Sequence, residues 1–291
     1  MSSIQPYRIA PATRIGYVNL RVRNLERSLT FYLDVLGMRL VSGGAHTATL
    51  SATGRGPGLL VLTARKDASA RPPRSTGLYH FAIRVPSRRA LALVIRRLEE
   101  MQWPVQGYAD HDVSEAVYLA DPDGIGIEVY ADRPRDEWPL RNGKVVMVTE
   151  PLELEAVMRE LDTWPGEWES LDPATEIGHI HLRVANLETA GEFYHGLLGF
   201  DITQDDMAGA LFLSAGGYHH HIGLNTWASE NGPRPPGDAV GLISYGVFVP
   251  DAGTLNEIKR RLLAAAAPLT EEDGSVRVGD PDGNFIEIFA R

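Results

Sequence analysis

The sequence predicts an α+β protein made of four modules with one plan, each a strand, an amphipathic helix and several short strands (βαβββ). The first observation is an internal repeat: residues 15–38 match residues 177–200 without a gap over 24 positions, 12 of them identical. The second is a closing repeat, in which residues 121–131 match residues 280–290 at seven of 11 positions. A third is the switch from strand to helical periodicity inside each repeat. The chain is therefore a duplicated half.

Two further matching segments divide each half into two modules. GLYHFAIRVP at 77–86 opens the second module, and GLISYGVFVP at 241–250 opens the fourth. We place the N-terminal pair of modules at 13–132 and the C-terminal pair at 176–291. The connector 133–175 belongs to neither half and is long enough to carry the chain across the molecule.

The first module shows the order of elements most clearly. Residues 17–22 alternate polar and apolar side chains, which predicts a strand. Asn24 then fits the N-cap of a helix over 25–36, whose apolar residues recur at helical spacing, and Gly37 fits its C-terminal stop. The third module repeats this pattern.

The second module follows the same plan with a helix over about 88–101. An Asp-Pro-Asp-Gly turn begins at Asp121 and leads into a closing strand over 125–130. In the connector, residues 152–161 predict a short helix, and the rest of the connector reads as loop.

Composition excludes several kinds of protein. With 28 basic and 38 acidic residues the net charge is −10, which argues against nucleic-acid binding. No apolar run approaches the about 20 residues of a membrane helix, and the N-terminus has no apolar signal-peptide core, so we expect a cytoplasmic protein. The absence of cysteine means that any metal must be held by nitrogen and oxygen.

The motifs Asn-Leu…Phe-Tyr…Leu-Gly and Asp-Pro-Asp-Gly…Ile-Glu, each present twice, are carried by four βαβββ modules. In this the chain resembles the vicinal oxygen chelate superfamily, which includes glyoxalase I, fosfomycin and bleomycin resistance proteins and type I extradiol dioxygenases. The resemblance implies that two modules pair their sheets into a half-open cup that holds one divalent metal. It also implies that the ligands lie on the first strand of each paired module and on the last strand of one.

These family positions decide which modules pair. The residues there are Tyr17, His80, His179 and Ser244 on the first strands, and Glu128 and Glu287 on the closing strands. Pairing modules in sequence order gives neither cup two histidines and a carboxylate. Pairing module 2 with module 3 collects His80, Glu128 and His179, and alternation turns all three away from the helix-covered face. We therefore expect modules 2+3 to form the metal cup and modules 1+4 a metal-free one.

Two imidazoles and one carboxylate leave coordination positions open, an arrangement typical of non-haem Fe(II) oxygenases. Within the superfamily the chain is most similar to the bacterial catechol 2,3-dioxygenases, on the strength of GLYHFAIRVP, SEAVYLADPDGIGIEVYADRP and SAGGYHHHIGL. The resemblance implies an Fe(II)-dependent extradiol dioxygenase, with Mn(II) as an alternative metal. Its partners would be a small aromatic diol, O2 and further copies of the chain in a homo-oligomer. The product would be of the 2-hydroxymuconate-semialdehyde type.

The resemblance also implies three catalytic residues. His220 aligns with the family's general base, Tyr118 lies ten residues before Glu128 and would hydrogen-bond a substrate oxygen, and His111 is the candidate for a second histidine. Because alternation places His219 and His221 on the face opposite His220, we expect those two to be structural.

Two other functions stay open at this point. One is a glyoxalase-like isomerase or epimerase that uses Zn, Ni or Co, and the other is a metal-free protein that binds an aromatic compound and confers resistance. The sequence does not fix the substrate, and Met207, Trp227 and the region of Trp138 are the candidates for the pocket wall.

Overall fold

Four βαβββ modules form two eight-stranded sheets in the computed structural model, which describes residues 7–141, 144–164, 166–272 and 274–291. The expectation about a signal peptide falls mainly on residues 1–6 and so lies outside the described residues.

Each module contains one helix and four strands. Module 1 consists of β1 (Arg14–Val22), α1 (Leu25–Leu29, continued by a π-helix over Thr30–Val35), β2 (Arg39–Gly43), β3 (Thr47–Ser51) and β4 (Leu60–Ala64). Module 2 consists of β5 (Gly77–Val85), α2 (Arg88–Glu100), β6 (Val105–Asp110), β7 (Ser114–Ala120) and β8 (Gly126–Asp132).

The described part of the connector holds short elements: a 3₁₀-helix (Arg135–Glu137), β9 (Leu140–Arg141), β10 (Lys144–Val145), α3 (Leu154–Met158) and a 3₁₀-helix (Arg159–Leu161). Module 3 consists of β11 (Glu176–Arg183), α4 (Leu187–Gly191, continued by a π-helix over Glu192–Leu197), β12 (Asp201–Gln204), β13 (Ala210–Ser214) and β14 (Ile222–Asn225). Module 4 consists of β15 (Gly241–Val249), α5 (Ala252–Ala264), β16 (Leu269–Glu272), β17 (Ser275–Gly279) and β18 (Phe285–Ala290).

The helix of module 1 begins as expected but changes its geometry halfway. The side chain of Asn24 accepts a hydrogen bond from the backbone N–H of Arg27, which confirms the N-cap. From Thr30 the helix widens, and the N–H of Leu36 donates to the carbonyl of Phe31 five residues back. Regular helical spacing predicted an α-helix throughout, so the π-helical second half is a difference that the apolar pattern does not encode.

Modules pair across the two halves of the sequence, as predicted. The first sheet joins modules 1 and 4 through antiparallel β1 and β15, and the second joins modules 2 and 3 through antiparallel β5 and β11. The strand orders are β16-β17-β18-β15-β1-β4-β3-β2 and β12-β13-β14-β11-β5-β8-β7-β6. The boundaries proposed for the duplicated halves stay a prediction.

The repeated motifs tie neighbouring modules of one half together. Tyr32, in the Phe-Tyr pair of module 1, donates a hydrogen bond from Oη to Oδ2 of Asp121 in the Asp-Pro-Asp-Gly turn of module 2, at 3.1 Å. Tyr194 bonds Asp280 in the same way at 2.9 Å. All four side chains are buried. The Phe-Tyr motif supplies the donor of each buried hydrogen bond, and the Asp-Pro-Asp-Gly motif supplies the acceptor. This explains why the two motifs recur together.

One continuous apolar core includes residues of all four modules. No helix within the described ranges has both the length and the apolar character needed to cross a bilayer.

Replacing Phe81 by alanine should destabilise the protein strongly, because its ring is fully buried in β5, where modules 2 and 3 meet. We expect a loss of about 3–5 kcal/mol in the free energy of unfolding, measured by urea denaturation. Phe285→Ala is the matched control, because that ring is 43% exposed. Its loss should stay below about 1 kcal/mol, and equal losses for both variants would contradict the core described here.

Candidate metal centre and its cavity

The pairing of β5 with β11 brings three predicted side chains together. His80 lies on β5, Glu128 on the neighbouring parallel strand β8, and His179 on β11. One ligand atom from each lies within 4.8 Å of the others. Modules 2 and 3 thus contribute to one buried cluster of two imidazoles and a carboxylate, which can hold a metal ion.

A bulge in β11 turns His179 toward this cluster. Ile177 pairs with Ile83 and His179 with Ala82, so Gly178 is an extra residue without a partner. The bulge lets Ile177 face the core while His179 faces the cup. Glycine is required at this position because a Cβ on Gly178 would lie 1.8 Å from Oη of Tyr130.

The carboxylate of Glu128 lies between the two imidazoles. Its Oε2 is 3.1 Å from Nε2 of His80 and 3.1 Å from Nε2 of His179. The three residues are only 7%, 3% and 1% exposed in the order His80, Glu128, His179. Water therefore screens these contacts weakly.

Electrostatics keep Glu128 ionised and His179 neutral. Burial alone would raise the pKa of the Glu128 carboxyl, but the contacts with His179 and His80 hold it well below its usual value. Burial lowers the pKa of His179 to about 4, against the opposing effect of Glu128. An ionised carboxylate and a neutral imidazole are the forms that coordinate a metal.

An unsatisfied nitrogen atom indicates that the group fits a cation. Nε2 of His80, which faces Glu128, is buried and has no hydrogen-bond partner among the described residues. Nε2 of His80 lies 3.1 Å from Oε2 of Glu128, but the two groups are not oriented for a hydrogen bond. A divalent metal among the three side chains would take up the lone pair of His80 that the protein leaves unpaired.

The cluster opens onto a cavity of about 240 Å³. His80 and Glu128 form its floor, with Tyr118, His111 and His220 beside them. The rest of the lining is mostly apolar and includes side chains from Val113, Met147, Met207, Phe212 and Trp227. Met207 and Trp227 therefore lie where the sequence suggested a pocket wall.

Tyr118 and His111 are hydrogen-bonded to each other at the edge of the cavity. Nδ1 of His111 is 2.6 Å from the carbonyl of Val148, which can only accept, so this nitrogen carries the proton. Nε2 of His111 lies 2.7 Å from the hydroxyl of Tyr118, which can donate to it. Burial and the nearby Glu128 raise the pKa of Tyr118 well above its usual value, so it stays a phenol.

His220 lines the cavity next to the cluster. Its ring centroid lies 4.0 Å from that of His179 and 5.1 Å from that of Phe212. Burial lowers the pKa of His220 well below its usual value, so the imidazole is neutral.

The argument from strand alternation does not hold for His219 and His221, because residues 218–221 are not in a strand and β14 begins only at Ile222. Nδ1 of His219 lies 2.8 Å from Nδ1 of His220. His221 accepts a hydrogen bond from the backbone N–H of Ala215. The structural role expected for these two histidines stays a prediction.

The sequence analysis gave no role to His181, which also lies beside the cluster. The ring of His181 lies 5.0 Å from that of His80 and lines the cavity, and Nε2 of His181 accepts from the amide of Asn225. Alternation along β11 placed His181 on the cup face, which was a usable signal.

The connector also contributes to the cavity, which the sequence analysis did not predict. Its residues Met147, Val148 and Thr149 line the cavity, although the sequence indicated only a crossing segment. Trp138, a wall candidate, is buried in a small cluster with Tyr218 and Met147, and its ring contacts His219.

Comparison with known proteins supports this picture of the fold. The family model for the "Glyoxalase/Bleomycin resistance protein/Dioxygenase superfamily" matches residues 14–129 and 176–288. The chain is 46% identical over 279 residues to a catechol-2,3-dioxygenase of Bacillus subtilis (strain 168), covering 94% of this chain and 96% of the relative.

Two crystal structures share the fold at low sequence identity. A proposed dioxygenase from Bacillus subtilis subsp. subtilis str. 168 superposes with a TM-score of 0.65 at 14% identity, over 97% of this chain and 86% of that one. Glyoxalase I from Zea mays gives a TM-score of 0.56 at 16% identity, over 96% and 92%. With the model match over most of its length and a close relative, the chain belongs to the glyoxalase/bleomycin resistance protein/dioxygenase superfamily.

Proposed function

We propose that the protein is an Fe(II)-dependent extradiol dioxygenase that inserts O2 into a catechol and yields a product of the 2-hydroxymuconate-semialdehyde type. The ligands in this proposal are His80, Glu128 and His179. The observation that carries it is a buried group of two imidazoles and one carboxylate at the floor of an apolar cavity. The 46% identical relative, which is named catechol-2,3-dioxygenase, supports the same reaction.

An iron ion held by these three residues would supply open coordination positions and a path for electrons between the catechol and O2. The protein's own residues do the rest. Fe(II) carries two positive charges and Glu128 contributes one negative charge. The site would therefore keep one net positive charge, which attracts an anionic catecholate. The neutral His220 takes a proton from the catechol, and Tyr118, oriented by His111, hydrogen-bonds a substrate oxygen. The apolar wall keeps bulk water away.

Reconstitution with Fe(II) under anaerobic conditions, followed by catechol and then air, should give the yellow ring-fission product. Oxygen uptake measured with an electrode should match the loss of catechol, because both oxygen atoms enter the product. Turnover of a substrate without oxygen would instead indicate an isomerase, and stoichiometric binding of an aromatic compound by metal-free protein would indicate a binding protein. Either result, with no oxygen uptake on any catechol, would falsify the proposal.

Replacing His80 by alanine should abolish stoichiometric iron binding, because it removes one of three ligands from a buried site. Metal content after dialysis and calorimetric titration with Fe(II) measure this. His46→Ala is the matched control, since His46 is exposed and far from the cluster in the chain, and it should bind iron like the parent protein. Retention of full iron binding by the His80 variant would show that the cluster is not the metal site.

The cavity also predicts the class of catechol. Among the described residues that line it, none is a lysine or arginine, so a carboxylate on the substrate ring would be desolvated without a counter-charge. We expect kcat/KM for catechol or 4-methylcatechol to exceed that for protocatechuate by at least about 100-fold.

A charge introduced into the wall tests this prediction. Met207 is partly exposed, so Met207→Lys can place its ammonium group at the cavity and should raise the relative kcat/KM for protocatechuate. Met101→Lys, at the exposed end of α2, makes the same substitution away from the cavity and should leave the ratio unchanged. An unchanged ratio in the Met207 variant would show that other groups read the ring substituent.

A further inference from the structure

A hydrogen-bonded chain of three residues leads from the end of β8 to the cavity. Nε2 of His219 is 2.9 Å from Oδ1 of Asp132, and Nδ1 of His219 is 2.8 Å from Nδ1 of His220. Asp132 is the last residue of the strand that carries Glu128, whereas the two histidines precede β14 in module 3. The chain therefore spans the same module junction as the metal cluster.

The chemistry of these groups fixes the direction of each bond. Asp132 also accepts from Nη1 of Arg84 at 3.0 Å and from the hydroxyl of Tyr218 at 3.0 Å, as an ionised carboxylate does. Because a carboxylate only accepts, Nε2 of His219 donates to it. In the form of His219 that carries one ring proton, Nδ1 is an acceptor, and Nδ1 of His220 then donates to it. This leaves Nε2 of His220 without a proton.

Both rings are enclosed by other side chains. The ring of His219 is fully buried, with the rings of Tyr218 and Trp138 at centroid distances of 4.0 and 5.2 Å. His220 is held between His179 and Phe212. Nε2 of His220 has no hydrogen-bond partner among the described residues, and His220 lines the cavity.

We propose that Asp132 and His219 are positioning residues that hold His220 in the tautomer protonated at Nδ1, with the bare Nε2 presented to the substrate. The catalytic part of this inference rests on the proposed function; the tautomer does not. In the step that it serves, a catechol O–H bond breaks, its electron pair stays on the oxygen, and the proton forms an N–H bond at Nε2 of His220. Asp132, acting through His219, then stabilises the imidazolium that results.

Asp132→Asn is the informative variant because it keeps the shape of the side chain and can turn the acceptor that faces His219 into a donor, although it also removes the negative charge opposite Arg84. The amide NH2 can donate to Nε2 of His219, so the ring proton of His219 moves to Nδ1. Nδ1 of His219 then donates to Nδ1 of His220, and the proton of His220 lies on Nε2. Tyr218→Phe is the matched control, since it removes a partner of the same carboxylate and leaves the carboxylate in place. His219→Phe is a second test that keeps the ring shape and removes the relay.

Long-range ¹H–¹⁵N spectra of histidine-labelled full-length protein, with diamagnetic Zn(II) supplied in place of iron, report the tautomer directly. The His220 signals are assigned by their loss in His220→Gln. We expect the Nδ1–H form in the parent and in Tyr218→Phe, the Nε2–H form in Asp132→Asn, and a mixture in His219→Phe. An Nε2–H signal in the parent, or the same tautomer in parent and Asp132→Asn, would overturn the inference. These spectra need no turnover, so they stay decisive even if the protein cleaves no catechol.

Steady-state kinetics test the catalytic part. In Asp132→Asn, kcat for ring cleavage should fall by at least about 100-fold while KM changes less than about threefold, because the base is disabled and the binding wall is untouched. A parent that cleaves catechol and an Asp132→Asn variant with the parent's kcat would refute the relay while leaving the proposed function intact. A parent without oxygen uptake would refute the function instead.

Discussion

The antiparallel pairing of β5 with β11 is the contact on which the rest of the site depends. It places His80 directly opposite His181 and brings the bulged His179 beside β8, the parallel neighbour of β5 that carries Glu128. If modules paired in sequence order, these histidines would lie in different sheets. The duplication therefore accounts for the four modules. The cluster forms because module 2 of one half pairs with module 3 of the other.

Much of this arrangement can be predicted from the sequence because repeats and periodicities are local signals. The two repeats define the modules, and the positions of His80, Glu128 and His179 on alternating strands place them on one face. Deciding which modules pair needed one further constraint, that a single cup must collect two imidazoles and a carboxylate. The family model and the two sheets confirm the fold reached in this way.

The remainder of the site depends on irregular segments, for which periodicity gives no rule. Alternation could not place His219, because the residues before Ile222 lie outside the strand, where side chains do not alternate. The wall formed by Met147 and Val148 comes from the connector, whose place depends on tertiary packing. The bulge at Gly178 is likewise invisible to alternation, and it is the reason that Ile177 and His179 lie on opposite faces although they are two residues apart.

The sheet of modules 1 and 4 also has a glutamate at the position of Glu128, but it has other residue types at the positions of His80 and His179. There Tyr17 stands in the place of His179, Ser244 in that of His80, and Glu287 in that of Glu128. The hydroxyl of Tyr17 donates directly to Oε2 of Glu287, so one O–H group satisfies that carboxylate.

In the sheet of modules 2 and 3, the hydrogen-bond partner of Glu128 Oε2 is instead Nε2 of His179, at 3.1 Å. Its Oε2 faces two imidazole nitrogens, and Nε2 of His80 has no hydrogen-bond partner among the described residues. A buried carboxylate with such neighbours is costly unless a positive charge compensates it. The two sheets thus treat the same carboxylate position differently. Glu287 is partly exposed, accepts a hydrogen bond from Tyr17 and faces Arg277, whereas the buried Glu128 leaves a place that a cation can fill.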